Sequence, residues 1–121
     1  MYWVTGTCDR LATPDGNQTA ACNKAVGLVS YSNGRRSFWF SIPHKSLIAF
    51  SGISESQDDK AGTLHIDLIT LASSPHANPS VAKGSCSFDN PWKGRAHIRC
   101  QGSTEAGNFA AEFTTDGQQP E

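Results

Sequence analysis

The sequence predicts an all-β fold: a single small antiparallel β-barrel or β-sandwich of about eight strands, with two hairpin disulfides. Three observations carry this expectation. The 11 Gly and 6 Pro of the 121 residues punctuate the chain so often that long helices have no room. The longest stretch free of both runs only from Thr63 to Ser74. Ser and Thr total 23, more than the 22 Leu, Ile, Val and Phe residues together, which suits short strands with one polar face. Cys8, Cys22, Cys86 and Cys100 fall into two identical spacings of thirteen intervening residues.

The cysteine spacing selects one of three possible pairings. The midpoint of Cys8 and Cys22 lies in Thr13-Pro14-Asp15-Gly16-Asn17, and that of Cys86 and Cys100 in Asn90-Pro91-Trp92-Lys93-Gly94. Pro early and Gly late in each string are turn chemistry. Each hairpin then sets its two cysteines opposite each other, within disulfide reach. The expectation is Cys8–Cys22 with Cys86–Cys100, each closing a loop and contributing about 3 kcal/mol in the chain-entropy model. No C-x-x-C pattern is present to suggest zinc or a thioredoxin-like redox centre.

Strands follow in order between turn signals: Tyr2–Cys8, Thr19–Ser32, then Asn33-Gly34, a strong hairpin turn, and Arg35–Ile42. Pro43-His44-Lys45 turns into Ser46–Ser51, and the polar run Ser54–Gly62 reads as a loop. Thr63–Leu71 alternates through Leu64, Ile66 and Leu68, although Leu64, Leu68 and Leu71 also fit a helix; its β-branched content favours a strand. After a loop at 73–79 come Val81–Phe88, Arg95–Thr104 and Asn108–Thr115. Residues 1–116 read as one β domain and Gly117–Glu121 as a frayed tail. The two ends resemble each other weakly, since Gly6-Thr7-Cys8 and Gly84-Ser85-Cys86 each open a cystine segment.

Register arithmetic assigns faces. With Cys86 opposite Cys100, Phe88 meets Ile98 and Asn90 meets Ala96 on the core side, while Ser87 meets Arg99 and Asp89 meets His97 on the solvent side. A two-residue turn at Asn33-Gly34 sets Val29 opposite Phe38 and Gly27 opposite Phe40, leaving Leu28 and Trp39 together on the other face. Cys22 shares the parity of Leu28, so an inward Cys22 would require a bulge. Phe38, Phe40, Phe50, Phe88, Phe109 and Phe113 read as large inward side chains that fill the core.

Lys and Arg number 10 against 11 Asp and Glu, a formal net charge of -1. That balance argues against a nucleic-acid binder, which needs excess cations to displace phosphate counterions. No apolar run is long enough to span a bilayer as a helix. The 22 aliphatic and Phe residues are few for a chain of 121, and the cystines supply the missing stability. Disulfides imply an oxidising, extracytoplasmic compartment, periplasmic or secreted. Met1 is read as a start standing in place of a removed signal peptide.

Several residues could carry chemistry. Ser87, Asp89 and His97 are the residue types of a nucleophilic triad, although a solvent-facing sheet lacks the desolvated site such chemistry needs. His65 and Asp67 share one strand face at i, i+2 and could hold a metal, while His44 and His76 lie in loops beside Pro and could approach them only through the tertiary fold. No dense ligand motif supports a metal, and no cofactor is expected. Trp92, Lys93 and Arg95 sit at the tip of a cystine-locked hairpin, where a rigid tryptophan either folds back over the barrel end to cap the core or makes a binding anchor. Trp39 with Arg35 and Arg36 forms a second binding candidate, suited to stacking sugars, bases or partner side chains.

These features point to an exported, non-enzymatic binding module, such as a protein inhibitor or a factor acting on a host or competitor, with a protein or small ligand as partner. A small-ligand carrier with a cavity inside the barrel is the second reading. A small hydrolase or metal-dependent enzyme using His97/Asp89 or His65/Asp67 is the third.

Overall fold

Every strand pairs antiparallel with its neighbours, and the last closes onto the first. The computed structural model describes residues 1–72 and 78–121. Its strands are β1 (Tyr2–Thr13), β2 (Gly16–Asn17), β3 (Ala25–Ser30), β4 (Arg35–Ile42), β5 (Ser46–Gln57), β6 (Ala61–Ala72), β7 (Ser80–Asp89), β8 (His97–Thr104) and β9 (Gly107–Thr115). The order β2-β1-β3-β4-β5-β6-β7-β8-β9, with β9 also paired to β1, makes a closed eight-stranded barrel plus the short β2. Closure settles barrel against sandwich, and it removes the open edges that a sheet would expose. Among the described residues, no helix is long and apolar enough to cross a membrane.

The inward positions of all eight strands are filled. Val4, Leu11, Val26, Phe40, Ile48, Phe50, Leu64, Ile66, Ile98 and Phe113 are buried in one cluster, as expected where eight strands leave an interior just wide enough for side chains. β6 is a strand as expected: Leu64 and Ile66 point inward, and a register shift between Ile66 and Leu68 lets Ile69 take the next core position. β5 carries a similar irregularity between Ser51 and Gly52. Gly52 is required there, because a Cβ on it would lie 1.7 Å from the His65 carbonyl oxygen.

Both cystines form as expected, but only one locks a hairpin. Cys86 and Cys100 face each other across β7–β8, with Ser87 opposite Arg99 and Phe88 opposite Ile98. Cys8 and Cys22 are bonded without being ladder partners. The β1–β2 ladder stops after Ala12–Asn17 and Thr13–Gly16. Thr19–Ala21 then turns as a 3₁₀ helix, with Cys22 at its end. The strand expected over Thr19–Ser32 is thus confined to Ala25–Ser30. The chain leaves the β1–β2 hairpin early because β3 must begin beside Thr5, where Thr5 pairs with Ala25. Cys8 itself lies at a register shift in the β1–β9 ladder.

The Asn33-Gly34 turn differs by one residue from the expected register. Tyr31 N–H donates to the Arg35 carbonyl at 2.9 Å and Gly34 N–H to the Tyr31 carbonyl at 3.1 Å, with Gly34 at φ 86°. The loop therefore has three residues, Ser32-Asn33-Gly34, and Asn33 spends its side chain accepting from Arg35 N–H at 3.1 Å. One residue of slip exchanges all partners: Leu28 faces Phe38 and packs on the core, while Trp39 lies opposite Gly27 on the outer surface.

The run Ser54–Gly62, expected as a loop, is mostly ladder, since β5 reaches Gln57 and β6 starts at Ala61. Polar side chains there do not prevent pairing, because this hairpin rises beyond the core with both faces wetted. The tail expected to fray is placed along β1: Trp3 and Glu121 exchange backbone hydrogen bonds of 2.8 and 3.0 Å, and Pro120 is buried. One end of the barrel thus gathers the start of β1, the β3–β4, β5–β6 and β7–β8 connections, and the residues after β9.

Candidate functional site: the barrel end under Trp92

That end of the barrel is not sealed. A pit of about 190 Å³ opens there, lined by Tyr2, Leu28, Arg36, Phe38, Asp58, Phe88 and Trp92 among others. Phe38 of β4 and Phe88 of β7 form its floor, edge to face with ring centroids 5.2 Å apart. Both are the outermost aromatics of strands whose deeper residues fill the core, so the pit is where inward packing ends.

Trp92 walls the pit because its turn is held from three directions. Asn90 caps the short 3₁₀ turn Pro91–Lys93, its side chain accepting from Trp92 N–H at 2.9 Å, and Gly94 ends it at φ 116°. Asn90 also ties the turn to the β5–β6 connection, donating its backbone N–H to the Lys60 carbonyl at 2.7 Å and its side-chain amide to the Asp59 carbonyl at 3.0 Å. Lys93 reaches Asp59 at 3.4 Å, and the Gln119 amide donates to the Trp92 carbonyl at 2.8 Å. The indole is 44% exposed and meets the Tyr2 ring edge-on. Arg95 is exposed beyond the turn.

Arg36 and Asp58 are the charged residues of the lining. Asp58 folds back on its own turn, its Oδ1 accepting from Lys60 N–H at 2.8 Å and Ala61 N–H at 2.9 Å. Those two backbone donors hold its carboxyl below the usual carboxylate range. The structure therefore joins Trp92 of one candidate set with Arg36 of the other. It separates both from Trp39 and Arg35, which lie on the outer wall. Trp39 donates its indole N–H to Ser37 Oγ at 3.0 Å. Arg35 forks onto Asp67, Nη1 to Oδ2 at 3.0 Å and Nη2 to Oδ1. That contact lowers the Asp67 pKa and raises that of Arg35.

The catalytic candidates Ser87, Asp89 and His97 share one groove without a hydrogen bond between their side chains, and the metal candidates are not assembled. Asp89 accepts from the backbone N–H of His97 at 3.0 Å, in place of the expected carboxylate–imidazole pair. The His97 ring instead meets Thr114 Oγ1 through Nδ1 at 3.1 Å, and that hydroxyl donates to Asp9 at 2.6 Å. The cause is the β8–β9 ladder, which sets Thr114 directly opposite His97. Ser87 faces Arg99, and Ser87, Asp89, His97 and Arg99 line an open groove of about 540 Å³. Asp67 is taken by Arg35, and His65 is exposed on the same strand. Among the described residues no group of three or more His, Cys, Asp or Glu could hold a metal ion; His76 lies outside the described residues.

Tyr2, Phe38 and Phe88 were not singled out from sequence as site residues. The signal available was position: Tyr2 and Phe88 are the inward residues of β1 and β7 nearest that end, and Phe38 is the inward residue next below Arg36 on β4. Comparison of the chain with protein-family models, with curated proteins and with solved structures found no match.

Proposed function

We propose that this chain is a non-enzymatic binding module of an extracytoplasmic compartment, and that its site is the open barrel end. The observation that carries this is the pit itself, an aromatic-walled concavity whose exposed Trp92 is fixed by its own turn, by β1 and by the β5–β6 connection. Exposed aromatic surface held rigid in advance loses little entropy on binding and makes a good anchor. Two disulfides support the compartment.

The size of the site favours recognition of one side-chain-sized group. At about 190 Å³ the pit falls below the roughly 300–1,000 Å³ of pockets that enclose drug-sized ligands. The packed interior likewise weighs against a carrier with an internal cavity. An inhibitor or other protein-binding role suits both facts, because a partner can insert one anchor here and rest on the rim.

A fragment titration followed by amide and indole NMR shifts tests this. Small apolar rings should move the signals of Tyr2, Phe38, Phe88 and Trp92 at millimolar concentration or below, and Trp92→Ala should weaken them severalfold. Shifts confined to other surfaces, or none at all, would overturn the assignment.

A further inference from the structure

We infer that the pit selects an apolar group carrying a carboxylate, and that Arg36 is the residue that takes the carboxylate. This rests on reading the barrel end as the binding site, and it adds the chemical class of the occupant.

Arg36 stands two residues before Phe38 on β4, so both share the inward face. Phe38 reaches the floor and Arg36 the rim, where it is half-buried. Three ion pairs occur among the described residues, Arg35–Asp67, Lys93–Asp59 and Arg99–Glu112, and Arg36 belongs to none of them. A guanidinium stays charged at any physiological pH and presents five N–H donors in a fork that matches a carboxylate. Partial burial beside aromatic rings weakens its hydration and strengthens what an incoming anion gains.

The lining carries one charge of each sign, Arg36 and Asp58. Four aromatic rings alone would also suit an ammonium ion through cation–π attraction. The fixed positive charge of Arg36 opposes that. Asp58, the carboxylate of the lining, already accepts two backbone N–H groups of its own turn. A volume of about 190 Å³ corresponds to about six waters at about 30 Å³ each, enough for one ring or one branched chain. The chemistry is thus that of an aromatic or branched aliphatic acid, either free or as the C-terminal residue of a peptide chain.

The test compares phenylacetate, 2-phenylacetamide and phenethylamine by NMR titration of the intact, oxidised protein, with N-acetyl-phenylalanine and its amide as a second pair. Phenylacetate should bind at least tenfold more tightly than phenylacetamide. That ratio should collapse towards one in Arg36→Gln and be intermediate in Arg36→Lys, which keeps the charge but not the fork. N-acetyl-phenylalanine binding more tightly than phenylacetate supports a chain terminus, and the reverse order supports a free acid. Equal binding of acid and amide at Tyr2, Phe38, Phe88 and Trp92 would overturn the role of Arg36 and leave the pit standing. Preference for phenethylamine would overturn the carboxylate claim in the same way. Absence of shifts at these residues with every probe would overturn the site itself.

Discussion

Trp92 meets Tyr2 edge-on, with ring centroids 5.0 Å apart and planes inclined by 85°. The contact joins the tip of the β7–β8 connection to the first residue of β1, across the mouth of the barrel. Edge-to-face aromatic pairs contribute about 0.5–1.5 kcal/mol beyond their area burial. A double-mutant cycle of Tyr2→Ala and Trp92→Ala, read from urea midpoints, should return a coupling energy in that range. Additive losses would show that Trp92 is not held by Tyr2.

The two cystines should differ when removed. Both span 14 residues in sequence, so loop closure alone assigns each about 3 kcal/mol. Cys86 and Cys100 are also buried in the barrel interior, whereas Cys8 and Cys22 are half-buried. Cys86→Ala/Cys100→Ala therefore adds a cavity cost and should unfold at clearly lower urea than Cys8→Ala/Cys22→Ala. Equal midpoints would contradict this ranking.

Gly52 should tolerate no side chain. A Cβ there meets the backbone of β6, not a movable side chain, so the strands must separate locally. Gly52→Ala should cost about 1–3 kcal/mol, measured as a lower urea midpoint. Gly16→Ala provides the contrast for space, since nothing lies within 4 Å of a Cβ on Gly16, although its φ of 123° adds strain of its own.

The Arg35–Asp67 pair gives stability a defined dependence on pH. The folded carboxyl titrates below its ordinary range, held there first by the Arg35 hydrogen bond. Its contribution is complete above an unfolded pKa of about 3.9, and is lost as pH falls through the lower folded value. Side-chain exposures of 25% for Arg35 and 38% for Asp67 keep the magnitude to about 0.5–1 kcal/mol. Asp67→Asn should cost that much at pH 7 and lose less stability than the parent on acidification below pH of about 4. Parallel curves for the two proteins would show that the pair contributes nothing.

The limits of the sequence are visible in particular residues. Strand count and the β7–β8 register were legible, because alternation, a Pro–Gly turn and opposed cysteines reinforce one another; the Cys8–Cys22 pairing was legible from the spacing, although the two are not ladder partners. Leu28 and Trp39 were assigned to the same face because Asn33-Gly34 suggests a two-residue turn, whereas Gly34 ends a three-residue one. Asp89 and His97 were brought near by register arithmetic, but His97 turns its ring to Thr114, which only the β8–β9 ladder reveals. Part of the pit's lining was legible, as Trp92 and Arg36 stood out for their chemistry. Their union with Tyr2, Phe38 and Phe88 depends on barrel closure, a relation among strands distant in sequence.

Filling the pit tests the central claim most directly. Ser30 lines the pit, is exposed at the end of β3 and pairs with Arg36 on the inward face, a strand position that accepts an aromatic residue. Ser30→Trp should abolish phenylacetate-induced shifts at Phe38, Phe88 and Trp92 while leaving the thermal midpoint within a few degrees of the parent. Undiminished binding to the folded variant would contradict the assignment of the barrel end as the binding site.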